Sequence, residues 1–150
     1  DSHFIDCIVV DYTIGFEMLG GGSNRLTRCH VWGGPIPAKN EGELPEMLVD
    51  SVNYYLDSED IMLTDCYADT GYTGFLVKNS ARLRGCSYYN NYSYKMDNVT
   101  VIDHQAGPLL VSECMFRKTS PHAFLYKGNK EDLTWANNIL VGEFDGDSDL

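Results

Sequence analysis

Five cysteines in one recurring frame restrict the fold of this 150-residue chain more than any other feature. Each has an apolar residue three positions before it and an apolar or aromatic one soon after. The copies are Phe4-Ile5-Asp6-Cys7-Ile8-Val9, Leu26-Thr27-Arg28-Cys29-His30-Val31, Leu63-Thr64-Asp65-Cys66-Tyr67-Ala68, Leu83-Arg84-Gly85-Cys86-Ser87-Tyr88 and Val111-Ser112-Glu113-Cys114-Met115-Phe116. A variant follows in Thr134-Trp135-Ala136-Asn137-Asn138-Ile139, read with Asn137 in place of the thiol. Consecutive members lie 22, 37, 20, 28 and 23 residues apart, so a basal unit of 20 to 23 residues carries two insertions. That period is too short for paired helices.

A second short element recurs between the cysteine segments: Gly15-Phe16-Glu17-Met18, Asn53-Tyr54-Tyr55-Leu56, Gly74-Phe75-Leu76-Val77 and Ala123-Phe124-Leu125-Tyr126. A third piece precedes the cysteine, as in Ile61-Met62-Leu63 and Ala81-Arg82-Leu83. Short, aromatic or branched runs bounded by turn residues read as strands, and tight two-residue hairpin signals are missing between them. Three strands per unit without hairpins predict a right-handed parallel β-helix of about six coils, in which each coil gives one strand to each of three parallel sheets. The residue before each cysteine falls in a sharp bend that calls for a left-handed backbone, for which Arg28 and Glu113 are the poorest fits. Each cysteine then points inward and stacks on the next as a free, buried thiol. The expected organisation is a β-helix domain over 1–144 and an acidic tail over 145–150.

This pattern resembles the pectin-lyase-like β-helix superfamily, with a likeness that covers residues 3 to 142 and rests on the repeat rather than on catalytic residues. The resemblance implies the fold and a habit of handling polysaccharides in a groove along one sheet, shared by hydrolases, lyases, epimerases and tailspikes; it also favours an extracellular or cell-surface setting. Fold alone does not fix function.

A formal charge of −11 argues against nucleic acid and anionic lipid as partners, because both are held by clustered Lys and Arg. No apolar run approaches the roughly 20 residues that cross a bilayer, so membrane insertion is not expected. The cysteines form no Cys-x-x-Cys pair and have no histidine at zinc-like spacing, so neither a metal nor another cofactor is expected. Gly20-Gly21-Gly22 lacks the Lys and Ser/Thr of a phosphate loop and reads as a turn between coils.

The insertions point to the functional side. Gly33 to Asp50 carries Pro35, Pro37 and Pro45, while Tyr88 to Asn98 is rich in Tyr and Asn. Both follow a cysteine strand and flank the shorter turn at Asp69 to Thr73, which would gather Trp32, Tyr72, Tyr89, Tyr92 and Tyr94 on one side, where aromatic faces can stack on sugar rings. Asp11 and Asp69 open two similar turns two coils apart, roughly 10 Å, near the spacing of about 6.5–9.5 Å used by inverting glycosidases. Asp caps turns equally well without any catalytic duty. His122 is a candidate acid or base with Lys118 beside it to orient substrate, and His104 is a second histidine placed near a solvated turn. The outward residues of the Gly-Phe strands, taken as Glu17, Tyr55, Leu76 and Leu125, hold one carboxylate, which disfavours a calcium-dependent lyase. These readings give a glycoside hydrolase using Asp11, Asp69 and His122 on a polysaccharide or oligosaccharide. A non-catalytic glycan-binding module of tailspike or adhesin type and a structural scaffold are the alternatives. Entry into the repeat by residue 3 leaves the first coil uncovered, which predicts an oligomer or continuation of the helix at that end.

Overall fold

The computed structural model describes residues 1–33, 50–90, 96, 98–118, 120 and 122–145. The first coil runs through β1 (His3–Ile5), β2 (Ile8–Val10) and β3 (Ile14–Leu19). The second has β4 (Ser23–Thr27), β5 (His30–Trp32) and β6 (Val52–Asp57), and the third β7 (Asp60–Thr64), β8 (Tyr67–Asp69) and β9 (Thr73–Val77). The fourth has β10 (Ala81–Arg84), β11 (Ser87–Tyr89) and β12 (Val99–His104), and the fifth β13 (Leu109–Ser112), β14 (Met115–Arg117) and β15 (Ala123–Gly128). A sixth coil supplies β16 (Leu133–Ala136) and β17 (Ile139–Val141). Every third strand joins the same sheet: sheet A is β1-β4-β7-β10-β13-β16, sheet B is β2-β5-β8-β11-β14-β17, and sheet C is β3-β6-β9-β12-β15. All pairings between these strands are parallel, which makes the chain a parallel β-helix.

The bend between sheets A and B is one shape repeated six times. Asp6, Arg28, Asp65, Gly85, Glu113 and Asn137 all have φ between 51° and 64°. A left-handed backbone costs a non-glycine residue roughly 1–2 kcal/mol, yet each of the first five bends donates its N–H to the coil above: Asp6 to Thr27, Arg28 to Thr64, Asp65 to Arg84, Gly85 to Ser112 and Glu113 to Ala136. The two poorest fits also pair with neighbouring strands or bends. Arg28 grips Asp6 through two bonds of 2.7 and 2.9 Å, and Glu113 accepts from Arg84 Nε at 2.9 Å.

The cysteines follow these bends on the inside, free and buried apart from half-buried Cys7. The sixth position is filled by Asn138 rather than Asn137. Ile139 pairs with Met115 and Asn137 takes the bend conformation, so Asn138 stands above Cys114. Its amide completes the edge of the stack, with Oδ1 accepting from Cys114 N at 2.9 Å and Nδ2 donating to the Val111 carbonyl at 3.0 Å.

The core is built from columns. Leu26, Leu63, Leu83 and Val111 are in register along sheet A and fully buried. In sheet C, Phe16 stacks on Tyr54 (5.7 Å) and Tyr54 on Phe75 (5.2 Å), with rings within 9° of parallel. The next inward column of that sheet is Met18, Leu56, Val77 and His104. His104 is therefore a core residue rather than a solvated turn histidine, with Nδ1 2.7 Å from the Tyr126 hydroxyl and Nε2 2.6 Å from the Gly107 carbonyl.

The outer column of sheet C also differs from expectation. The residue in line with Glu17, Tyr55 and Leu76 is Asp103, followed by Lys127, while Leu125 is buried two positions upstream. That column consequently holds two carboxylates and a lysine. Tyr88, taken as the start of an insertion, is an inward core residue of β11. The ends of the stack leave apolar side chains uncovered, among them Ile8 and Leu19 on the first coil and Ile139 on the last.

Candidate functional site

Chain length varies at the corner where sheet B hands over to sheet C. The third coil turns there through residues 70–72, whereas the second and fourth coils carry their extra residues between Trp32 and Val52 and between Tyr89 and Val99. Most of that extra sequence lies outside the described residues, including Tyr92, Tyr94 and the three prolines.

Beside this corner, register places Trp32, Asp69 and Tyr89 in consecutive strands of one outward column of sheet B. The strand spacing puts the two rings roughly 10 Å apart with the carboxylate between them. The neighbouring outward column runs Ile8, His30, Tyr67, Ser87, Met115 and Ile139. Within it the His30 and Tyr67 rings stack at 4.6 Å and 18°. Further along the face, the Arg117 guanidinium lies 5.7 Å from the Tyr89 ring centre, in cation–π range. Tyr67, Ser87, Tyr89, Met115 and Arg117 line a shallow depression of ≈ 310 Å³.

Asp69 is almost fully covered despite its outward position. Its Oδ1 accepts from Thr70 Oγ1 at 2.5 Å, and Oδ2 lies 3.8 Å from His30 Nε2. Burial, reinforced by the Asp69 carboxylate, pushes the Tyr67 hydroxyl up to about 12. The turn that carries Asp69 is tied down from inside. The Tyr12 hydroxyl lies 2.9 Å from the Thr70 carbonyl and 3.2 Å from the Asp69 carbonyl, and accepts from Asn53 Nδ2 at 2.6 Å. Asn53 Nδ2 also reaches the Asp69 carbonyl at 3.1 Å, and the Tyr88 hydroxyl donates to the Gly71 carbonyl at 3.0 Å. Burial raises the pKa of both Tyr12 and Tyr88, which keeps these hydroxyls protonated as donors. Gly71 is required here, since a Cβ would collide with Asn53 Oδ1.

The expected acid and base groups share this corner but not one place along it. Asp11 follows β2 on the first coil, Asp69 closes β8 on the third, and His122 precedes β15 on the fifth. Asp11 and His122 are thus four coil spacings apart, on the order of 19 Å. The two similar Asp turns also differ in phase. Asp11 itself takes the left-handed conformation (φ 59°), while in the third coil Thr70 does so (φ 60°) and Asp69 remains a strand residue.

His122 and Lys118 meet a different partner. Asp145 accepts from His122 Nδ1 at 2.9 Å and from Lys118 Nζ at 3.3 Å, and bridges to Phe124 as a strand residue would. These contacts, His122 first and Lys118 second, hold the Asp145 carboxyl below its ordinary value of 3.8. Tyr72 packs beside the small cluster of Met96, Val99 and Ala123. Of the expected sugar-contacting residues, Trp32 and Tyr89 are the two that flank Asp69.

Sequence reasoning missed the supports, Tyr12, Asn53 and Tyr88, and the face residues Tyr67 and Arg117, although the outward direction of His30 was legible from its strand. Period-2 alternation about the inward Ala68 and Phe116 places Tyr67 and Arg117 outward as well. Among the described residues no three His, Cys, Asp or Glu side chains converge on a point fit for a metal ion, and no helix is long and apolar enough to cross a membrane. Comparison with protein-family models, with curated proteins and with solved structures gave no match.

Proposed function

We propose that the outer face of sheet B, at its corner with sheet C, holds a polysaccharide or oligosaccharide without cleaving it. The observation that carries this reading is the outward column Trp32, Asp69, Tyr89 on a turn buttressed from within. Two rings fixed on a rigid strand face can each stack on a sugar face, and Arg117 and Ser87 offer donors to sugar hydroxyls at low ordering cost. The likeness of the repeat to the pectin-lyase-like superfamily supports the same substrate class and an extracellular or cell-surface setting, by analogy of fold alone.

Hydrolysis is the second reading, favoured by the placement of Asp11 and Asp69 two coils apart on one corner. Against it stands the state of Asp69, whose carboxylate is covered and already accepts from Thr70. A free general acid or base needs reach to a sugar oxygen or a water.

One assay separates the readings. Purified protein is screened against neutral and acidic polysaccharides for binding and for new reducing ends. The expected result is binding without product, weakened about tenfold by Trp32→Ala or Tyr89→Ala, as loss of roughly 1.4 kcal/mol of ring stacking requires. Reducing ends that vanish in Asp69→Asn would establish the hydrolase instead. Binding untouched by both ring substitutions would overturn the proposed face.

A further inference from the structure

The column of thiols inside the bend has a spacing and chemistry that the saccharide reading does not use. Cys29, Cys66, Cys86 and Cys114 stand on consecutive coils, each followed by a strand residue whose N–H bonds to the cysteine carbonyl one coil before: Tyr67 to Cys29, Ser87 to Cys66 and Met115 to Cys86. Each sulfur also lies 3.4–3.6 Å from a carbonyl of the coil before it, at Phe4, Leu26, Leu63 and Leu83 in turn. Cys7 continues the column on the first coil and is half-buried.

We infer that this thiol column is a binding site for soft monovalent cations of the Cu(I) and Ag(I) class, each held linearly between cysteines of adjacent coils. Zinc is disfavoured because its structural sites need four ligands around one point, whereas among the described residues no three ligating side chains converge. What the column offers is pairs. Two cysteine sulfurs on opposite sides of one ion stand about twice a metal–sulfur bond of ~2.3 Å apart, or ~4.6 Å, and in-register parallel strands repeat at about 4.8 Å. A linear ion therefore fits between neighbouring sulfurs without spreading the coils. Thiolate softness selects Cu(I) and its congeners over Mg, Ca or Mn.

Charge balance favours a monovalent ion in this apolar interior. A thiol loses its proton to solvent, an S–M bond replaces S–H, and the adjacent sulfur donates a lone pair to the same ion. No electrons are transferred, and the column stays neutral, which avoids the cost of an unpaired buried charge.

The test titrates the folded chain with silver nitrate in chloride-free buffer. Bound silver is counted after gel filtration, released protons by pH-stat, and protected cysteines by alkylation and mass mapping. The expected result is at least two ions per chain, about one proton released for each, joint protection of Cys29, Cys66, Cys86 and Cys114, an unchanged far-UV spectrum and a raised Tm. Cys86→Ser, which splits the column, should lower the count by at least one ion, and Cys7→Ser by at most one. If Cys86→Ser fails to fold, the protection map of the unaltered chain decides alone. Uptake abolished by Cys7→Ser, uptake that requires loss of the β spectrum, equal affinity for Zn(II), or no uptake would each overturn the inference.

Discussion

Replacing Asn138 by cysteine would restore the repeat yet should destabilise the protein. Consensus reasoning favours the substitution, since five coils carry cysteine at this position. The structure argues otherwise, because the sixth coil is the last one among the described residues and the Asn138 amide does there what a further strand would do. It accepts from the Cys114 N–H at 2.9 Å and donates to the Val111 carbonyl at 3.0 Å. A thiol can make one weak bond and cannot reach both groups. Each lost bond is worth about 0.5–1.5 kcal/mol net, so Asn138→Cys should lose roughly 1–3 kcal/mol in all. For a chain of this length a loss of that size lowers Tm by about 2–4 °C per kcal/mol. Asn138→Asp keeps the acceptor and loses the donor, so it should fall between the two. The assay is urea unfolding followed by far-UV circular dichroism under reducing conditions, with Tm as a second readout. If Asn138→Cys equals or exceeds the native stability, the amide is not capping the stack, and the reasoning is refuted.

Glu113→Gly should raise stability by about 0.5–1 kcal/mol, because glycine adopts the left-handed bend without the Cβ penalty while the exposed pair with Arg84 contributes little; a lower urea midpoint would contradict this. Acid should release the C-terminal clasp. The Asp145 carboxyl is held below 3.8 in the folded chain, so its stabilising contribution is complete above that value and is lost as pH falls through the still lower folded pKa. Asp145→Asn should remove this acid-dependent step, followed by the NMR shifts of Phe124 and His122, and a persisting step would assign it to another group.

The fold was legible because a β-helix writes its period into the sequence. The bend before each thiol was readable even at Arg28 and Glu113, since the frame outweighs the preference of any one residue. Phase errors arose where the frame has no marker. Two adjacent asparagines offered equal candidates for the sixth position, and only pairing of Ile139 with Met115 separates Asn137 from Asn138. Leu125 was misaligned because aromatic content gives no register: four strands of sheet C have Phe or Tyr in the inward column, but at that level β12 has Ile102, and in β15 Phe124 stands two residues before the inward Tyr126. The Asp69 corner was singled out by the insertions that flank it. Its buttress was not, because hydrogen bonds that span 41 and 57 residues leave no local trace in sequence.

The uniform bend between sheets A and B also separates two tasks that most folds mix. Along that edge every coil presents the same backbone shape to its neighbours, so a coil is accepted by its conformation and not by its length. Change is confined to the opposite corner, where residues have been inserted after β5 and β11 without shifting the register of a single ladder. Such a molecule can exchange what it recognises by rewriting one margin, and can grow by copying a whole coil, while the interior that holds it upright needs no redesign.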